Sequence, residues 1–316
     1  MKVLLLSRPG DFGVLEEVWE DHPLTLPVWG TPLFQWFDQY FRSLGATELR
    51  LVCLDGPCLS DKSEALAQLL KASAPPLALE GKWSIRSALP RHVTEVLTQQ
   101  RLFWQGEETL VWSAPALPLE AILGARPPSG FPEPSESTRP WLLDTEQRLT
   151  PWTASVTASL AGPRDFFQTH MQLLSVAPPR STPLNGVDAK AVLTPPLALA
   201  GEIHAKATSR VGPHALLCPG VRLDPQTNLS HVVVLQPVRI GKGFQLDSQI
   251  IIGNTLIGPE GSLTVITDQH LLKSLRSSPP HGVFDARGPR GQEPPEKSAG
   301  AGFRAKKTPG FPVREG

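Results

Sequence analysis

From Val187 onward an aliphatic residue recurs every six positions, and no other feature constrains the fold as strongly. Val187, Leu193, Leu199, Ala205, Val211, Leu217, Leu223, Leu229 and Leu235 share one frame and are all apolar. With about half of residues apolar on average, such a run in a chosen frame arises by chance roughly once in 500. The fourth residue after each is mostly small or β-branched, as at Ala191, Ile203, Ser209, Val221 and Thr227. A period of six fits neither a helix nor a flat strand. It fits a parallel β-helix, in which each hexad gives one short strand and one turn, and three hexads close a triangular coil. The aliphatic side chain fills the narrow prism, and the small one sits at a corner where bulk would clash. Gly212, Gly220, Gly241, Gly253 and Gly258 fall at turns. The frame is expected to slip by one at Ile240 and to resume through Leu246 and Ile252. About four coils fit between Val187 and Leu263, each burying the next.

The preceding part reads as α/β. Val3–Leu6 is a short buried strand, and Leu33–Leu44 carries apolar residues at helical spacing with Gly45 as C-cap. Glu48–Leu54 and Thr109–Trp112 read as strands, with a helix over Ser63–Ala72 between them. This order gives βαβ units and a largely parallel sheet. Ala125–Arg139 is a Pro/Ser/Gly-rich loop, Trp141–Trp152 a hairpin and Asp165–Leu174 a helix. The expected organisation is an α/β domain over 1–175, a Pro-rich linker over 176–186, the β-helix over 187–272 and a tail over 273–316. The tail is rich in Pro, Gly, Lys and Arg. It has too little apolar surface to offset its ordering entropy, so it is expected to be disordered.

Composition excludes several functions. With 30 Lys and Arg against 30 Asp and Glu, the formal net charge is zero, which argues against a nucleic-acid binder. The eight Trp lack the basic interleaving of a nucleic-acid surface. Cys53, Cys58 and Cys218 match no zinc spacing, and their odd number argues for reduced thiols. The apolar run at Met1–Ser7 is too short for a signal sequence, and no stretch reaches the ~18 apolar residues of a spanning helix, so the expected compartment is the cytoplasm.

Four stretches of the first 175 residues resemble the sugar-1-phosphate nucleotidyltransferases, which make NDP-sugars for polysaccharide biosynthesis. Pro23-Leu24-Thr25-Leu26-Pro27-Val28-Trp29-Gly30-Thr31-Pro32-Leu33 is similar to the family's K-P-L-L-P-V-x-G-K-P-L, and Leu44-Gly45-Ala46-Thr47-Glu48 follows as its L-G-x-x-E. Leu4–Gly13 occupies the place of the strand and G-G-x-G-T-R loop. Thr109–Leu117 occupies the place of a strand ending in G-D. Ser159–Phe166 resembles D-I-G-T-P-E-D-Y. The hexads likewise resemble those of hexapeptide-repeat proteins, which implies a left-handed coil.

The resemblance keeps the structural residues and loses the chemical ones. Nucleotidyl transfer brings polyanions together, so positioned cations and metal-holding carboxylates must meet the phosphates. Here the two lysine positions carry Pro23 and Thr31, and the two metal aspartate positions carry Pro115 and Ser159. The loop retains only Gly10 and Gly13, and Pro9 removes an amide donor. No catalytic and no metal-binding residue is therefore assigned. Ser7, Arg8, Gly10, Gly13, Thr31 and Trp112 mark a vestigial nucleotide-binding cleft. The resemblance implies a catalytically degenerate protein that binds a nucleotide sugar or sugar phosphate, or pairs with an active homologue, in a regulatory or scaffolding role. Homo-oligomers or hetero-oligomers through the β-helix are expected, with no nucleic acid, no membrane span and no cofactor. Mg2+ enters only in the alternative, an active nucleotidyltransferase. A further alternative is a hexapeptide acyltransferase, with His214 on a coil turn as general base.

Overall fold

Strand β1 (Lys2–Ser7) organises the first half of the chain. The computed structural model describes residues 1–54, 66, 82–88, 93–124, 128–136, 138–177 and 186–275. The run Val3-Leu4-Leu5-Leu6 is wholly buried because both faces of the strand are covered. Val3 and Leu5 enter one core, Leu4 and Leu6 another. β1 pairs in parallel with β4 (Glu48–Leu54) and β6 (Thr109–Ser113), and β4 pairs in parallel with β5 (Lys82–Ala88). The antiparallel strands β8 (Trp141–Leu143) and β9 (Leu149–Pro151) complete a six-stranded sheet in the order β5-β4-β1-β6-β8-β9. Strand β5 and the short helices α3 (Val93–Gln99) and α4 (Arg101–Trp104) had no counterpart in the sequence reading.

Helix α2 (Leu33–Ser43) buries Leu33, Phe34, Trp36, Phe37, Tyr40 and Phe41. Its end has a Schellman pattern: Gly45 takes φ +75° and the Ala46 amide donates to the Phe41 carbonyl. Just before it, β2 (Pro27–Val28) and β3 (Thr31–Pro32) form a hairpin whose turn residues, Trp29 and Gly30, both have positive φ. A side chain at Gly30 would lie 2.3 Å from the Ala200 side chain, so that turn needs its glycine. The expected helix over 63–72 lies outside the described residues except Leu66. The same holds for most of the 176–186 linker and for the chain after residue 275.

The C-terminal region is strand-rich. Strands β11 (Val192–Leu193), β14 (Arg210–Val211), β17 (Asn228–Val234) and β19 (Gln245–Ile252) form one parallel ladder. β12 (Leu197–Leu199) and β15 (Ala215–Leu217) join the same β17 and β19 in a second. β13 (His204–Ala205), β16 (Arg222–Leu223) and β18 (Val238–Ile240) form a third. Paired residues lie 18 positions apart, as Leu193 and Val211, or 17, as Leu217 and Val234. Strand β20 (Thr255–Ile257) then adds antiparallel to β19, β21 (Leu263–Val265) adds antiparallel to β20, and β22 (Leu272–Ser274) adds antiparallel to β18. β22 thus carries regular structure two residues past Leu272, where the tail was expected to begin.

The register also corrects the expected slip. It falls between Leu229 and Val232, not at Ile240. Three residues separate Val211 from Ala215, but only Ser230 and His231 separate Leu229 from Val232. Val234, not Leu235, therefore stands beneath Leu217.

Helix α6 (Gly162–Val176) packs on this region. Its Phe166, Phe167, Leu173 and Leu174 share one core with Ala198, Leu216, Val233 and Ile250, while the neighbouring Ala215, Leu217, Val232, Val234 and Ile251 face a second core inside the ladders. Period-2 alternation in apolar triplets such as Val232-Val233-Val234 serves both. Met1–Arg276 is accordingly one compact unit.

Candidate functional site

In an open α/β sheet, ligands enter where the strand order reverses, outside the carboxyl ends of the strands. Here that place lies beyond β1 and β6, and five of the six expected cleft residues belong to these two strands or the loop after β1. Ser7 ends β1 and is 0% exposed, and its Oγ has no hydrogen-bond partner among the described residues. Trp112, opposite Leu5, is also 0% exposed. It packs edge-on against Phe41 and beside Tyr40, and its indole N–H donates to the Ala116 carbonyl at 2.5 Å. It is a core residue and lines no open surface. Thr31, half-buried, sits apart from them on the β2–β3 hairpin.

The loop after β1 precedes helix α1 (Val14–Val18), and its amides are already taken. Arg8 N–H donates to Asp11 Oδ2 at 2.8 Å. Gly10 N–H donates to Glu16 Oε2 at 2.8 Å and Phe12 N–H to Glu16 Oε1 at 3.1 Å. Asp11 and Gly13 N–H donate to the Arg8 and Gly10 carbonyls. Pro9 has no N–H, so every amide from Arg8 to Gly13 has an acceptor within the chain. A phosphate cradle works by offering such amides to an anion, and here the anions are the chain's own carboxylates. Burial pushes the Asp11 carboxyl up to about 6, against the opposing effect of the Arg8 amide.

The positions where the resemblance calls for cations or carboxylates have structural duties. Pro23 opens a 3-10 turn capped by His22, whose Nδ1 accepts the Leu24 N–H. The Pro115 carbonyl accepts the Leu160 N–H at 2.7 Å. Ser159 Oγ donates to Asp165 and accepts from the Ala161 amide, tying β10 (Thr157–Ser159) to the start of α6. His170 was not singled out from sequence. It is wholly buried, with Nδ1–H donating to the Phe166 carbonyl and Nε2 facing the Trp29 N–H at 3.4 Å. Burial pushes its pKa down to about 4, so it is neutral and structural.

A second cluster forms where the ladders turn into β15, β17 and β19. His214, His231 and Ser248 each stand immediately before the second-ladder strand of successive coils, all with positive φ. The His214 and His231 rings stack at 5.1 Å. His231 Nδ1 lies 3.1 Å from Asp247 Oδ1, an oxygen that also accepts the Ser230 hydroxyl. The Ser230 and His231 hydrogen bonds hold the Asp247 carboxyl below its ordinary range. His214 has no carboxylate. Its Nδ1 is buried without a partner among the described residues, and its Nε2 lies 3.5 Å from Ser175 Oγ on α6. Burial first, and the neighbouring His231 second, push its pKa down. The sequence signal that could have found this pair is the one-residue slip, which sets His231 and Asp247 on adjacent rungs.

No protein-family model and no curated protein matches the chain.

Proposed function

We propose that this chain is a sugar-nucleotidyltransferase-like protein whose transfer site is closed. In this reading it serves a regulatory or scaffolding role, through a bound nucleotide sugar or an active homologue, and its C-terminal strands wind as a left-handed β-helix. The observation that carries the reading is the loop after β1: none of its amides is left for a phosphate. Burial of Ser7 and Trp112 supports it from the strand side. The three ladders with their repeat of 17 or 18 residues support the coil. The test is ligand-induced thermal stabilisation of the whole chain by nucleoside triphosphates, with and without magnesium. No magnesium-dependent shift is expected.

A second reading, acyl transfer on the coil, is favoured by the Asp247–His231 hydrogen bond. The base in that reading is His231 rather than His214. In this reading Asp247 holds the proton on Nδ1, which leaves Nε2 to take a proton from an acceptor hydroxyl or amine as it attacks an acyl thioester, and to return that proton to the thiolate released when the C–S bond breaks. If the chain transfers acyl groups, His231→Ala is expected to lower the rate by about 10²–10⁴-fold with His214→Ala near wild type. Equal rates for His231→Ala and wild type reject this reading.

A further inference from the structure

We infer that the outer face of the third ladder is an interaction surface, and that its partner is the acidic half of a second copy of this chain. In-register pairing stacks His204, Arg222, Arg239 and Lys273 in one outward column. All four are exposed, and no acidic residue interrupts them. Adjacent rungs are about 4.8 Å apart, so the column extends about 14 Å. Two carboxylates lie beside it: exposed Glu202 stands 3.8 Å from His204 at one end, and Asp224, 9% exposed, is held by Arg239 at 2.7 Å and Lys206 at 2.9 Å, so the unpaired charge of the column is that of Arg222 and Lys273. Arg222 and Lys273 make no ion pair among the described residues, so their charge is directed outward.

The complementary charge is in the same chain. The net charge of zero conceals a strong division. Residues 1–175 hold 14 Lys and Arg against 20 Asp and Glu, a net of −6. Residues 176–316 hold 16 against 10, a net of +6, of which the described ladders over 186–275 hold 7 against 6, so on the described surface the basic excess is concentrated in the column and not spread over the region. Two copies arranged with the basic column of one against the acidic half of the other neutralise both, and steering by such fields favours that orientation. A nucleic acid fits less well, because no exposed aromatic residue interleaves with the column. The inference goes beyond the closed transfer site and does not depend on it.

The test is sedimentation of the full chain at fixed protein concentration in about 50 mM and about 500 mM salt, beside the variant Arg222→Glu with Lys273→Glu. Neither side chain is buried, so the variant retains its circular dichroism spectrum. The expected result is an oligomer at low salt that dissociates at high salt, as exposed charge pairs do when screened. In the variant the dissociation constant is expected to rise at least tenfold at low salt. A monomer under every condition overturns the inference. So does an oligomer that neither salt nor the variant disturbs, and so does low-salt association retained in full by the variant, which would place the contact elsewhere.

Discussion

Trp112→Ala is expected to destabilise the protein by about 3–5 kcal/mol, the range for removing a large aromatic side chain from a filled core. Trp112 is 0% exposed, its ring contacts Tyr40 and Phe41, and its N–H is paired with the Ala116 carbonyl. Truncation therefore opens a cavity between β6 and α2 and leaves that carbonyl without its donor. Urea unfolding reads the effect as a lowered midpoint at unchanged slope. Had Trp112 lined a solvent-filled cleft, as its place in the resemblance suggests, the cost would be below about 1 kcal/mol. The measurement thus separates a filled sheet end from an open one.

Asp11→Asn is expected to stabilise the protein at pH 7 by about 2–3 kcal/mol and to make its stability fall with acid where the two contributions otherwise nearly offset. The sign follows from two buried groups shifted in opposite ways. Burial raises Asp11 from 3.8 to about 6, so the native state binds this proton more tightly than the unfolded chain does. Its contribution favours folding below 3.8 and is lost as pH rises through about 6. Burial lowers His170 from 6.5 to about 4, so here the unfolded chain binds the proton more tightly. That contribution is present above 6.5 and lost as pH falls towards 4. In the native sequence the two nearly offset each other between about pH 4 and 6.5. Asparagine keeps an acceptor for the Arg8 amide but cannot titrate, so the variant should lose roughly 3 kcal/mol over this window through His170, with His214, also pushed down, acting in the same direction. Urea unfolding at pH 7 and pH 4 checks this, and parallel profiles for variant and native protein would exclude it.

How much of the protein is legible in its sequence depends on how local the physics is. The strands at Val3–Leu6, Glu48–Leu54 and Thr109–Trp112, the helix at Leu33–Leu44 and the hairpin at Trp141–Trp152 follow from periodicity and turn residues, and each appears within a residue or two. The aliphatic frame from Val187 gave the parallel ladders, but the position of the slip was not legible. Leu229 and Leu235 both suit an inward position, and only pairing shows that Val234 holds the place beneath Leu217. The apolar triplets Ala215–Leu217, Val232–Val234 and Ile250–Ile252 carried a further signal, that these strands bury both faces, and α6 is what covers the outer one. The cleft was read through glycines and lost lysines. The decisive residue, Glu16, lies outside those motifs and acts by accepting amides four and six positions back. His170 was hidden for the opposite reason, because its partner Trp29 is 141 residues away.

The central claim is that no phosphate can use the loop after β1. The most direct measurement is the melting temperature of the full chain against a panel of nucleoside triphosphates and nucleotide sugars, with and without magnesium. A ligand that binds only the folded state adds about 2.7 kcal/mol of stability at 100 times its dissociation constant. The account predicts no shift that requires magnesium with any triphosphate; a magnesium-free shift with one nucleotide sugar would fit a non-catalytic binding role. A magnesium-dependent shift with a triphosphate, followed by pyrophosphate release in the presence of a sugar 1-phosphate, would contradict it and show that Glu16 gives way to substrate.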